Sequence, residues 1–158
     1  MGERVIVRQN SQFETEVLAQ DPHNPDDQAF YPAGDVRQLT PYGMLLAGLG
    51  SCTAIVMHTY AQYHDVPLSE AELRLEYDRV FADDCEDCEN IHEYKEHIRM
   101  DIAVSGNLTQ KDLDRLSVVS SHCPIHKMLA RGIEVHARVI EEGKGFFVQP
   151  LDEKEVNV

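Results

Sequence analysis

Four cysteines are the residues of this 158-residue chain best suited to covalent chemistry, and they stand in three settings. Cys52 lies in Leu49-Gly50-Ser51-Cys52-Thr53-Ala54, inside the longest apolar stretch. Cys123 lies in Ser121-His122-Cys123-Pro124-Ile125-His126-Lys127, just before a proline. Cys85 and Cys88 form a C-x-x-C within the acidic run from Asp83 to Glu93. A thiol can attack an electrophile as thiolate, pair as a disulfide or bind a soft metal, and the local field decides which.

Each setting has a functional reading and a bland one. A cysteine on an apolar helix is commonly an inert small hydrophobe, and burial raises its pKa and suppresses the thiolate. Cys52 sits about three turns beyond the helix start at Thr40, out of reach of the terminal dipole, so a reactive Cys52 needs an arginine or histidine brought to it. His58, six positions on, points from a different helical face. Cys123 takes an N-cap position, where free amides and the dipole favour a thiolate and His122, His126 and Lys127 add positive charge. An N-cap cysteine can equally be structural. Cys85 and Cys88 with His92, and His97 as a further donor, offer tetrahedral zinc ligands, but C-x-x-C alone is half a zinc signature. The alternatives there are exposed loop thiols, a disulfide or a redox pair. Surrounding carboxylates raise those thiol pKa values while attracting a cation.

The elements that must position these groups are readable from pattern. Val5, Val7 and Gln9 alternate with Ile6 and Arg8, and Phe13, Thr15 and Val17 alternate again, which predicts a strand pair turning at Asn10-Ser11. A turn-rich segment from Asp21 to Asp27 leads to a short strand around Gln28 to Tyr31. Thr40-Pro41 opens a helix running to about His64, apolar nearly all round and therefore buried. Its small residues Ala47, Gly48, Gly50, Ser51 and Ala54 would let a second helix approach. Leu73 to Asp78 and Ile98 to Val104 alternate as two antiparallel strands joined by the acidic loop. Thr109 with Asp112 caps a helix that Pro124 interrupts and Gly132 ends, and Ile133, Val135, Ala137 and Val139 predict a final strand. Strands in blocks give an α+β class with antiparallel sheets in one domain spanning 1–158.

Composition excludes several functions. Fourteen Lys and Arg against 28 Asp and Glu leave a net charge of -14, which repels phosphate backbones and anionic lipid surfaces, so no nucleic acid or membrane partner is expected. The apolar stretch Met44 to Met57 is too short to span a bilayer. Met1-Gly2-Glu3-Arg4 leads straight into the first alternating segment without an apolar h-region, and residue 6 is isoleucine, so neither a signal peptide nor a myristoylation site is expected. The expected location is cytoplasmic, where thiols stay reduced.

Two segments together resemble the OsmC/Ohr family of cysteine-dependent peroxidases. Pro41-Tyr42-Gly43-Met44-Leu45-Leu46-Ala47-Gly48-Leu49-Gly50-Ser51-Cys52 is similar to the family helix with proline at its start, a Leu-x-Ala core and a cysteine eleven positions after the proline. Cys123-Pro124-Ile125-His126-Lys127-Met128-Leu129 is similar to its C-P-x-x-K-x-L segment. With a hairpin and a helix start between them, the likeness covers most of Val5 to Ile140.

The resemblance implies an intertwined homodimer in which sheets with strands from both chains wrap two central buried helices. It implies an activity as well, the reduction of organic or fatty-acid-type hydroperoxides, or poorly of hydrogen peroxide, with a dithiol as reductant and no required cofactor. Cys52 would be the peroxidatic and Cys123 the resolving residue. Hydroperoxide reductases of the family carry a glutamate one or two residues after the helix-start proline, holding an arginine against the thiol. This chain has Tyr42 and Gly43 there, with Asp35 and Glu16 as acids on the N-terminal side of the helix. Arg37, Arg8 and Arg4 are the arginine candidates, Arg37 preferred because it precedes the helix. The rival reading is a non-catalytic member whose cleft binds a small apolar ligand, with zinc at Cys85, Cys88 and His92.

Overall fold

The computed structural model describes residues 2–81 and 94–139. Strands β1 (Glu3–Asn10), β2 (Thr15–Ala19) and β3 (Tyr31–Pro32) precede a 3₁₀ turn at Val36–Gln38 and helix α1 (Pro41–Tyr63). Strands β4 (Leu68–Phe81) and β5 (Tyr94–Gly106) follow, then helices α2 (Gln110–Ser120) and α3 (Pro124–Arg131). The strands form one antiparallel sheet in the order β3-β2-β1-β4-β5. The α+β class read from the sequence is the observed one.

Period-two alternation gives the sheet one apolar face. Val5, Val7 and Gln9 of β1 lie opposite Leu75, Leu73 and Ala71 of β4, all buried. Continuing across β4, Leu75, Leu73 and Ala71 oppose Met100, Ile102 and Val104 of β5. The solvent face carries charge instead, with Arg8 bonded to Glu72 at 2.7 Å and Arg4 to Glu76 at 3.2 Å. The first turn is longer than predicted. Asn10 Oδ1 accepts from the amides of Gln12 and Glu14, and Phe13 takes φ +62°, so β2 begins at Thr15 rather than at Phe13.

Helix α1 lies on the apolar face. Thr40 caps it by accepting from the Gly43 amide at 3.0 Å, and Pro41 occupies its first turn. Leu46, Leu49, Ala54 and Met57 are buried, and Gly50 is required by close approach. A Cβ there would meet Leu75 Cδ1 and Val7 Cγ2 at 2.8 Å. At Gly48 a Cβ would meet nothing within 4 Å. The small residues therefore divide: Gly50 admits the sheet's own side chains, while Gly48 faces away from it. Met44, Leu45 and Ile55 share that second face and are exposed, so the helix is covered on one side by this chain, not all round. At 23 residues, α1 is long and apolar enough to cross a bilayer by length and composition, being longer than the stretch from Met44 to Met57. Half of the apolar window is buried inside the molecule, so the core accounts for that half of its hydropathy.

A second cluster of Met57, Ala61, Val66, Leu68, Leu116 and Val119 fastens the end of α1 to α2. Helix α2 starts as predicted, with Asp112 N donating to Thr109 Oγ1 at 3.2 Å and Thr109 N to Asp112 Oδ2 at 3.0 Å. Pro124 opens α3 after a two-residue turn, and Gly132 ends it with φ +81°. The predicted last strand is corrected. Residues 132–139 have no regular structure and join no sheet among the described residues, with Val135 82% exposed. Alternation becomes a strand only against a free sheet edge, and this segment meets none among the described residues.

Candidate functional site

Folding brings Cys52 and Cys123 together from α1 and from the turn before α3. Both are free thiols packed at the edge of the main core, Cys123 fully buried and Cys52 partly exposed. Cys52 sits on the α1 face that the sheet leaves uncovered, one turn after Gly48 and nearly one before Ile55. The α2 to α3 break places Cys123 at the cap: its carbonyl accepts the Lys127 amide at 3.1 Å, and Pro124 follows in the first turn.

The two sulfurs are hydrogen-bond neighbours with opposite electrostatics. Burial pushes the Cys52 thiol above the ordinary thiol range, and its position as donor toward Cys123 raises it further; the Ile125 amide opposes this. Burial acts upward on Cys123 as well. It is outweighed by the Cys52 thiol, the His126 amide, the Thr53 hydroxyl and the Ile125 amide, leaving Cys123 below the ordinary thiol range. The Thr53 hydroxyl already donates to Leu49 O at 2.9 Å, so Cys52 and the α3 amides carry most of that effect. The α3 amides are foreshadowed by the Cys123-Pro124 pair in the sequence. Thr53 is not, because it adjoins Cys52 in the chain and becomes a neighbour of Cys123 only in the fold.

Arg37 is placed elsewhere. Its side chain is 87% exposed and held by Asp35 at 2.7 Å, and it is not among the groups acting on either sulfur. Arg4 and Arg8 are paired with Glu76 and Glu72. A carboxylate does stand at the start of α1 although positions 42 and 43 carry none. Glu3 of β1 accepts from Thr40 Oγ1 at 2.7 Å, and its Oε1 lies 3.2 Å from where a Gly43 Cβ would be. A negative charge is favourable at a helix N-terminus. No local pattern signals it, because Glu3 and Thr40 lie 37 residues apart and meet only when α1 packs on β1.

His58 is a structural residue, buried with Nε2 at 2.8 Å from Gln9 O and its ring edge-on to Phe13. Cys85, Cys88 and His92 lie outside the described residues, among which no group of three metal-ligating side chains occurs. Beyond the thiol pair, an open groove of about 780 Å³ runs between the second half of α1 and α2, past Val56, Tyr60, Val118 and His122.

The fold is α+β, with one thiol on a half-covered helix and a second at the head of a proline-started helix. Residues 34–138 match the family model described as OsmC-like protein, about two thirds of the chain, and the chain belongs to that family. Its fold resembles that of a crystallographically solved OsmC-like hydroperoxide resistance protein from Jannaschia sp. CCS1, with a TM-score of 0.57 at 13% identity. That match covers 90% of this chain and 96% of the other. At such identity the likeness speaks for the fold. No curated protein matches.

Proposed function

We propose that this protein is a thiol-dependent peroxidase that reduces organic hydroperoxides, with Cys52 attacking and Cys123 resolving. The contact between two sulfurs far apart in sequence carries the reading, supported by family membership and by the neighbour's description. Access supports these roles. Cys52 is partly exposed and can meet a substrate, whereas fully buried Cys123 can meet only Cys52.

The Cys52 thiolate attacks the terminal oxygen of the hydroperoxide, the O–O bond breaks, and the alkoxide leaves as alcohol after taking a proton. Cys123 then attacks the sulfur of the Cys52 sulfenic acid, displacing hydroxide that becomes water. The two thiols lie within hydrogen-bonding reach, and a disulfide brings their sulfurs to about 2 Å. A dithiol reopens it by exchange, and no step calls on a metal or cofactor. The apolar groove starts one helical turn from Cys52 and beside Cys123, which offers room for the organic part of the peroxide.

A homodimer in the cytoplasm completes the reading. Met44, Leu45 and Ile55 leave an apolar stripe on α1 around Cys52, and Ile133, Val135 and Val139 alternate without a sheet to enter. A second copy would cover both. Consumption of tert-butyl hydroperoxide with dithiothreitol, by wild type and by Cys52→Ser, tests the proposal, and equal rates would overturn it. The groove also favours a second reading, a non-catalytic binder of a small apolar ligand. It predicts no peroxide consumption together with saturable binding of an apolar fluorophore. Zinc held by Cys85, Cys88 and His92 belongs to that reading, and elemental analysis of the purified protein tests it.

A further inference from the structure

We propose that the groove between α1 and α2 binds an anionic amphiphile, a molecule with an apolar chain and one terminal carboxylate, whose charged head is held by Lys111 and Arg115. This rests on the groove being a ligand site, which both functions proposed above share, and it names the charge of the ligand and the end of the groove that receives it.

The groove has unlike ends because the two helices run antiparallel along it. Leu108, just before α2, packs with Val66 and Leu68, just after α1, while Cys123, just after α2, is the neighbour of Cys52. The thiols therefore lie beyond one end, and the last turn of α1 faces the first half of α2 at the other. From Cys52 to the C-cap His64, α1 spans about 18 Å. The middle of the groove is apolar, lined by Val56, Val118 and Val119, and Val118 is 61% exposed.

The positive charge lies at the end remote from the thiols. Lys111 and Arg115, four residues apart on one face of α2, both line the groove. Among the described residues neither enters an ion pair. Asp114 is the acid in the lining, and its Oδ1 accepts from Gln110 Nε2 at 2.9 Å. Asp112 feels both cations through space, and its Oδ2 accepts from the Thr109 amide. Two histidines, His64 and His122, stand one at each end. Two cations against one acid reverse the sign of a chain whose net charge is -14. The molecule as a whole repels anions, so an anion that binds here does so through these two side chains. The guanidinium offers a carboxylate two parallel N–H donors and the ammonium adds a point charge. An apolar chain attached to that head lies over Val118 and Val119 toward the thiols and covers surface that the chain itself leaves open.

Displacement of the neutral fluorophore N-phenyl-1-naphthylamine by decanoate, 1-decanol and decyltrimethylammonium tests the proposal. The proteins are wild type, Lys111→Gln/Arg115→Gln, Val118→Asp and Arg74→Gln. Decanoate should bind wild type more tightly than decyltrimethylammonium, and added NaCl should weaken decanoate but not decanol. Removing both cations should weaken decanoate about fivefold or more and leave decanol unchanged. Val118→Asp should weaken both about tenfold, because it sets a charge in the apolar middle. Arg74→Gln removes a cation from the solvent face of the sheet and should change neither. Equal losses of decanoate affinity in Arg74→Gln and the double variant would reduce the effect to net charge and overturn the proposal. Decanoate affinity unchanged in the double variant would overturn it too, while leaving an uncharged apolar site in place. No saturable binding of the fluorophore or of decanoate would overturn both the proposal and the reading of the groove as a ligand site, and sedimentation as a dimer would then assign the groove to a second copy. No readout uses peroxide, so failure of the peroxidase reading is measured separately.

Discussion

The two faces of α1 are built for different purposes. Toward the sheet, Leu46 is fully buried, Gly50 leaves no room for a methyl group, and Thr53 and His58 satisfy their polar atoms on backbone carbonyls. Away from it, Met44, Leu45 and Ile55 are exposed, Gly48 faces open space, and Cys52 is within reach of Cys123. A close-packed face resists every change of volume. A loosely covered face can admit a substrate or a second chain, and Cys52 stands there.

Substitutions on the two faces should separate these roles. Cys52→Ser should lower peroxide turnover by at least about a hundredfold, as loss of a nucleophile does, while the urea midpoint stays near wild type. A large stability loss would place Cys52 with the packed face instead. Leu46→Ala should cost about 2–5 kcal/mol in urea unfolding, through lost burial and the cavity left behind. Gly50→Ala should cost about 1–3 kcal/mol, because the new methyl presses on Val7 and Leu75.

Gly48→Ala sharpens the comparison most. With open space at that position the better helix former should stabilise the chain by about 1 kcal/mol. If a second copy packs there, the same change should instead weaken the dimer, seen as earlier dissociation on dilution in sedimentation.

The smallest effect belongs to the solvent side of the sheet. Hydrogen bonds from Arg8 and Arg74 hold the Glu72 carboxyl below its ordinary value, so its contribution is present above the ordinary carboxylate range and fades as pH falls through the depressed value. Arg8 is 38% exposed, and solvent screening keeps the contribution under about 1 kcal/mol. Glu72→Gln should therefore flatten the acid limb of the stability profile slightly and leave neutral pH nearly unchanged.

Local signals are legible in the chain itself. Thr40-Pro41, Thr109 with Asp112, and Pro124 each act within one helical turn, and each helix starts where they predict. The β1 alternation likewise predicts its inward face. Phe13 fits the alternation of a strand, yet Asn10 folds its side chain over the turn and Phe13 takes a positive φ outside the strand. Ile133 to Val139 alternate as a strand does, but pattern cannot supply a partner edge.

The class of fold, the starts of the helices and the two cysteine segments can all be read from the chain alone, since they follow from backbone and side-chain preferences over a few residues. Tertiary packing was needed to show that the two thiols come within hydrogen-bonding reach, that Glu3 stands at the head of α1, and that the lower pKa belongs to Cys123 rather than Cys52. Those outcomes depend on burial, on amides of another helix and on contacts between elements distant in the chain. A thiol's charge is set by everything within a few ångströms of it, and sequence spacing does not report which groups those are.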